Sequence, residues 1–304
     1  MDVAPVQFGQ YPPAARTIVH LSDTHLLAGN AALAGRYDTA ANLAATLRVI
    51  EAMSISPDAL VITGDLTDLG EPEAYRALKA MIEPLASRLG ADVVWVAGNH
   101  DERPAMRRDL LGLTANEVPV TGVYDLGGLR VIARDTTVPG WHHGEIDAAQ
   151  LAWLRNELST PAPLGTLLAM HHPPLPSHIP FFDVLELREQ HELAHVIAGS
   201  DVRGILAGHL HYSTSGTFAG VPVSVSSATC YTMNLGLPAD AINGMDAAQS
   251  FHLVHVYERT VTHAVVPVAE APTADYFSAE WVRRMATLSP QERLEAFSRK
   301  GPGA

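Results

Sequence analysis

The sequence predicts an α/β fold that becomes β-rich toward its C-terminal end. Three observations carry that expectation. Short apolar, β-branched runs alternate with segments of helical period, the helical period stops near Thr214, and each of five apolar runs ends in a burst of carboxylate, amide or imidazole side chains.

The runs at 17–21 (TIVHL), 59–63 (ALVIT), 93–97 (VVWVA), 130–134 (RVIAR), 166–170 (TLLAM) and 204–208 (GILAG) read as buried strands. Between them, Leu43, Leu47 and Ile50 repeat at helical spacing after Asp38 and Thr39, and Leu151, Leu154 and Leu158 follow an Asp147/Gln150 pair with the spacing of a capping box. A helix after Gly70 opens with Pro72 in its first turn and carries Tyr75, Leu78, Ile82 and Leu85, with Pro84 expected to kink or end it. From Thr214 to Val268 the pattern predicts antiparallel strands and hairpins, and Ser289, Pro290 and Glu292 mark the start of a last short helix. We therefore expect an N-terminal extension over 1–15, one catalytic domain over 16–268 and a helical tail over 269–304.

Composition narrows the function classes. At 47% hydrophobic and 17% charged, the 304 residues suit one large core rather than disorder. A formal charge of −13 supplies no basic face for a phosphate backbone, so nucleic acid is not the expected partner. Cys230 is the only cysteine, which rules out an intrachain disulfide and a thiolate-rich metal site. That usage, an N-terminus without a secretory pattern and the lack of a spanning apolar stretch predict a soluble, cytoplasmic protein without a transmembrane segment.

The chemistry lies at the strand ends. DTH (23–25) follows the first run, GDLTD (64–68) the second, GNHD (98–101) the third, HHPP (171–174) the fifth and GHLH (208–211) the sixth. In a parallel sheet, strand ends on one edge lie together and ligand sites form there, so these residues are expected to converge on one rim. Two carboxylates, one carboxamide and four imidazoles suit Mn, Fe, Zn, Ni or Co and exceed the needs of one ion. Two ions about 3.5–4 Å apart that share a carboxylate use the whole set. Any block alone is an ordinary turn, since Asp and Asn after Gly often cap or turn the chain. Five such turns after five strands are not.

DxH, GDxxD, GNHD, H and GHxH, in this order, resemble the calcineurin-like metallophosphoesterases. VPGWHHGEI, LAMHHPPLPS, DVRGILAGHLHYSTSG and GVPVSVSSATCYT are further similar to the class III cyclic-nucleotide phosphodiesterases of mycobacteria, over roughly residues 16–268. The resemblance implies a four-layer α/β/β/α sandwich with two mixed sheets. It also implies two transition-metal ions, with Asp23, His25 and His211 on the first, Asn99, His171 and His209 on the second, and Asp65 bridging. A hydroxide between the ions would be the nucleophile; His100 would stand by the leaving oxygen, oriented by Asp68. Asn99, His142 and His211 would contact the substrate, and His172 would act behind the ligands. A homodimer is implied as well.

The expected activity is hydrolysis of a cyclic nucleotide, 3′,5′ or 2′,3′, with other small phosphodiesters such as glycerophosphodiesters as the alternative. Protein phosphatases of the superfamily place arginines where this chain has Leu69 and Ala97, and a non-enzymatic scaffold of this fold would be expected to have lost ligands. On the bland reading, His142 and His143 are solvated imidazoles in a loop. His20, His178, His191, His195, His252, His255 and His263 are read as structural or surface, and Cys230 as a small core hydrophobe. Tyr276, Phe277, Trp281 and Met285 of the tail are expected to pack on the body, a second subunit or a membrane surface.

Overall fold

A computed structural model describes residues 7–238, 240–269, 271–272 and 277–300. The chain divides into two compact units: Ala15–Ala269, and a smaller unit made of Met1–Ala14 with Glu270–Ala304.

The larger unit is built on two mixed sheets. In chain order its strands are β1 (Arg16–Leu21), β2 (Ala59–Thr63), β3 (Asp92–Val96), β4 (Gly122–Leu126), β5 (Leu129–Arg134), β6 (Thr137–Val138), β7 (Trp141–Gly144), β8 (Thr166–Met170), β9 (Val202–Ala207), β10 (Thr214–Phe218), β11 (Val221–Val225), β12 (Thr232–Met233), β13 (Gly244–Met245), β14 (Ser250–Val256) and β15 (Val261–Pro267). The first sheet has the order β15-β14-β1-β2-β3 and the second β10-β11-β9-β8-β5-β4. Within them β1-β2-β3 and β5-β8-β9-β11 run parallel, and the antiparallel strands lie outside. These are the two mixed sheets that the resemblance implies, and the converging strand ends are shared between them. Three motif blocks end strands of the first sheet and two end strands of the second. The expected antiparallel C-terminal region is also mixed, because β11 joins β9 in parallel while β14 and β15 return to the other sheet.

The two sheets face each other across Ile18, Val61, Val94, Val131, Leu167, Leu206 and Val254, all fully buried. Helices cover the outer faces. Helix α1 (Thr39–Ala52) starts at Asp38, whose carboxylate accepts from Ala41 N–H, and buries Leu43 and Ile50. Helix α2 (Pro72–Leu89) continues through Pro84, which neither ends it nor interrupts its buried stripe of Tyr75, Leu78, Ile82 and Leu85; packing of that stripe outweighs one missing donor. After a single turn, α3 (Arg103–Ala105), the second sheet is covered by α4 (Ala148–Glu157), where Asp147 and Gln150 form the expected capping box, and α5 (Gln190–Ile197).

The smaller unit holds α6 (Ala279–Thr287) and α7 (Pro290–Arg293), the latter with a Ser289/Glu292 capping box. Its aromatic residues pack on one another: Trp281 lies 4.8 Å from Phe277 and 5.2 Å from Phe297, ring to ring, and Arg293 stacks over Phe8. Met285 is buried, whereas Phe277 remains 55% exposed; Tyr276 lies outside the described residues. Among the described residues no helix is long and apolar enough to cross a membrane.

Candidate metal centre

The backbone turns sharply where the strands end. Asp23, His25, Asp65, His209 and His211 all have positive φ, between 42° and 73°. Non-glycine residues rarely adopt this region, and side chains held there are locked by their surroundings. Glycines make the approach possible. A Cβ on Gly64 would stand 2.6 Å from His171 Nδ1, and one on Gly208 would overlap the Ser22 hydroxyl and press on the Asp23 carboxylate.

These turns bring together all seven residues expected to hold metal. Asp65 Oδ2 lies 3.3 Å from His25 Nε2 and 3.2 Å from His171 Nε2; Asp23 Oδ1 lies 3.3 Å from His211 Nε2. Asn99 Oδ1 is 3.1 Å and His209 Nδ1 3.2 Å from His171 Nε2. Apart from Asn99, each of the seven is buried. The other nitrogen of each imidazole is anchored. His171 Nδ1 donates to the Thr63 carbonyl (2.7 Å), His209 Nε2 to the Leu185 carbonyl (3.0 Å) and His211 Nδ1 to the Tyr231 carbonyl (3.1 Å), while His25 Nδ1 faces Asp68 Oδ1 at 3.0 Å. Such partners fix the tautomer and leave the inward nitrogen as a lone-pair donor.

The fit to metal is tested by what the centre lacks. His25 Nε2 is buried and has no hydrogen-bond partner. An orphaned nitrogen beside the Asp65 carboxylate, which His171 Nε2 also faces, and with the His211 ring 5.1 Å away, is costly unless a cation completes it. The donors Asp23, His25, Asp65 and His211 lie within 4.8 Å of one another, close enough to share an ion. His172 falls near His171 and His209 but is no donor: its Nδ1 is engaged with Thr136 Oγ1 (2.7 Å) and its Nε2 with the His142 carbonyl (3.1 Å). Cys230 Sγ lies 3.7 Å from His211 Nδ1, the nitrogen anchored on Tyr231, and within 4.8 Å of a His25 nitrogen, and burial pushes its thiol well above the ordinary value.

Burial acts first on every charge here and disfavours it. Burial notwithstanding, the adjacent Asp65 and Asp68 carboxylates lift His25 to about 10, and Asp65 lifts His171 to about 9. His209 is pushed well below its ordinary value by burial and by His172 and His171. Asp65 is held well below the carboxylate range, the two imidazoles overcoming its burial.

Around the centre, His100 donates from Nδ1 to the Asp68 carbonyl (2.9 Å), with the Asp68 carboxylate at 3.4 Å. Asp68 thus does more than the sequence predicts: it anchors His25 as well as orienting His100. Asn99 Nδ2 donates to His142 Nδ1 at 3.0 Å. His142 and His143 are not in a loop; they lie on β7, paired with β6 in a two-stranded hairpin too short to show a periodicity. Asp101 was not read as functional from sequence. It is buried and accepts from Leu66, Thr67 and Gly98 N–H and from the Tyr75 hydroxyl, tying the turn of Asp65 to that of Asn99. Burial and the nearby Asp65 charge push it up to about 6.

The donors open into one cavity of about 610 Å³. His25, Asp65, Asn99, His209 and His211 form its floor, and His100 and His142 stand on its side.

Carboxylates, imidazoles and an amide on such a floor define a metal-dependent phosphoesterase with a two-metal centre. The chain belongs to the calcineurin-like phosphoesterase family, whose pattern its residues 16–213 match. It is 53% identical over 263 residues to a probable cyclic nucleotide phosphodiesterase of Rhodococcus erythropolis, covering 86% of this chain and 87% of that one. It is 50% identical over 268 residues to a cAMP/cGMP dual specificity phosphodiesterase of Mycobacterium tuberculosis, covering 88% and 84%. A dimetal phosphatase of Danio rerio shares the fold, with a TM-score of 0.60 at 14% identity over 84% of this chain and 98% of that one.

Proposed function

We propose that this enzyme hydrolyses cyclic nucleotides to nucleoside monophosphates at a centre where Asp23, His25 and His211 hold one ion, Asn99, His171 and His209 the other, and Asp65 both. The observation that carries the ligand assignment is the buried, partnerless His25 Nε2 facing Asp65. The cyclic-nucleotide substrate follows from the names of the relatives at half identity or better. Mn, Fe or Zn suits the oxygen and nitrogen donors. The homodimer and the cytoplasm complete the reading; light scattering at micromolar protein giving a monomer mass would remove the first.

When bound, two such ions polarise the phosphoryl group and lower the pKa of water from 15.7 to about 7. The chain supplies the rest. Asn99, with its oxygen turned to the floor, gives its amide hydrogen to His142 Nδ1 and so leaves His142 Nε2–H as a donor for a phosphoryl oxygen. His172 holds the His142 backbone from behind. His100 keeps a proton on Nδ1 against the Asp68 carbonyl, which aims Nε2 into the cavity; as the imidazolium it would give its Nε2 proton to the departing alkoxide and be left neutral with Nδ1 still protonated. Leu69 and Ala97 leave a monoester dianion without the arginines that superfamily phosphatases provide, so a singly charged diester is the better match.

The purified protein should hydrolyse 3′,5′-cyclic nucleotides in preference to monoesters, with two ions per chain by elemental analysis. Activity confined to glycerophosphodiesters, or full activity with one ion, would overturn the substrate or the centre respectively. His100→Ala should lose about 10²–10⁴ in kcat on a cyclic nucleotide, the usual range for a positioned general acid. It should lose much less on bis(p-nitrophenyl) phosphate, whose phenolate leaves unaided; equal losses would end the proton-donor assignment.

A further inference from the structure

The cavity has a second wall that the metal chemistry does not use. Leu33, Ala34, Arg36 and Tyr37 come from one tight turn, and Tyr231, Met233, Ile242 and Gly244 from the β12–β13 hairpin and its approaches. The turn is closed by Leu33 N–H donating to the Tyr37 carbonyl at 2.8 Å. Leu33 and Tyr37 pack with Ala228 and Cys230 in a satellite core separate from the two main ones. Tyr37 stacks on Tyr231 with ring centroids 4.7 Å apart and planes 16° from parallel. Gly244 makes room for this stack, since a Cβ there would stand 2.8 Å from the Tyr231 ring. From behind, Asn42 of α1 donates to the Cys230 carbonyl (2.8 Å) and to Asp246 (2.9 Å), clasping both ends of the hairpin to the helix.

Two of its residues are unexplained by the fold. Ile242 is 48% exposed at the cavity mouth. Arg36 is exposed, makes no side-chain hydrogen bond or ion pair among the described residues, and is the one Arg or Lys that lines the cavity. A cavity of 610 Å³ also exceeds what a phosphodiester group needs and falls in the range of pockets for drug-sized ligands. Resting on the cyclic-nucleotide reading above, we propose that this wall is the nucleoside subsite, and that Arg36 and Ile242 close on the base while the Tyr37–Tyr231 stack sets the depth to which it enters. A planar base matches this chemistry: its face accepts apolar and guanidinium contact, and its edge accepts hydrogen bonds from the guanidinium.

Arg36 and Ile242 lie outside the motif blocks and are exposed, so replacing them leaves the floor intact. The double variant Arg36→Ala/Ile242→Ser should raise KM for 3′,5′-cAMP about tenfold, the loss of one base contact, with kcat within threefold. The rise should be at least fivefold smaller on methyl p-nitrophenyl phosphate, a diester of the same charge without a nucleoside. Equal rises on both would mean that Arg36 serves the phosphate, and would overturn the subsite. Adenosine reads the wall independently of cyclic-nucleotide turnover. It should compete with methyl p-nitrophenyl phosphate on the parent enzyme, and about tenfold more weakly on the variant. Failure of adenosine to compete would overturn the subsite even if cAMP is hydrolysed; competition in an enzyme inert to cAMP would keep the subsite and overturn the substrate.

Discussion

Two sets of histidines in this molecule, the pair beside Asp65 on the cavity floor and the group between the sheets, meet opposite fates. On the cavity floor, His25 and His171 are lifted to about 10 and 9. Between the sheets, His252 and His263 are pushed down to about 4 and His20 well below its ordinary value. Burial penalises the charge in both places. What differs is the company. His25 and His171 stand 3.3 and 3.2 Å from the Asp65 carboxylate, whereas among the described residues His252 bonds to the hydroxyls of Ser213 and Ser224, His20 to that of Thr63, and the two rings meet edge to face. An interior carboxylate turns a neutral spacer into a site ready for a cation.

The comparison breaks most completely at Asp65. Asp65→Asn keeps the shape but removes the charge that both His25 and His171 rely on, so the floor should come to resemble the space between the sheets. Metal content should fall at both positions and kcat/KM by more than about 100-fold, since even partners one step behind a ligand cost 10–100-fold. Retention of both ions in elemental analysis would show that Asp65 is not shared. A smaller effect is expected one step back: Asp68→Asn leaves every proposed ligand in place but weakens the anchor on His25 Nδ1, and metal affinity should drop about 10–100-fold. Excess Mn²⁺ should restore occupancy; rescue of occupancy without rescue of the rate would isolate the effect of Asp68 on His100.

The interior set gives the smallest and most specific effect. An unfolded imidazole titrates near 6.5, and folded His252 and His263 near 4, so between those values the unfolded chain binds more protons. Stability is therefore full above about 6.5 and is lost progressively as pH falls toward about 4. His263 Nδ1 is buried without a partner, and His263→Leu removes one proton-binding group from that balance. The variant's thermal midpoint should drop less than the parent's between pH 7 and pH 5, by about 2–4 °C for each 1 kcal/mol retained. Parallel curves would place the acid sensitivity elsewhere.

Sequence and structure differ in an instructive way. The blocks from Asp23 to His211 announce which side chains meet, because polar residues after apolar strands have few other reasons to recur. Which strands pair is invisible to that reading: β1 to β3 and β8 to β9 show the same apolar runs, yet belong to different sheets. Asp101 is visible as the last residue of the GNHD block, but its role is not, because its partners are mostly backbone N–H groups, which any sequence supplies. Arg36, Tyr37 and Ile242 stayed hidden for another reason, since they come from turns and a hairpin without periodicity and become a wall only when Tyr37 meets Tyr231. Pro84 misled in the opposite direction, as a local rule overridden by the buried stripe on either side of it.

The seam between the sheets carries a last consequence. Asp23, His25, Asp65 and Asn99 follow strands of one sheet and His171, His209 and His211 follow strands of the other, so ions held by these residues would rivet two layers that meet through an apolar core and polar contacts such as His252 to Ser224. A ligand that binds only the folded chain adds about 4.1 kcal/mol when present at 1,000 times its dissociation constant. Metal supply would then govern durability as well as turnover. A cell short of the right ion would hold fewer intact copies of this hydrolase, not simply idle ones, and its abundance would track the metal economy of its surroundings.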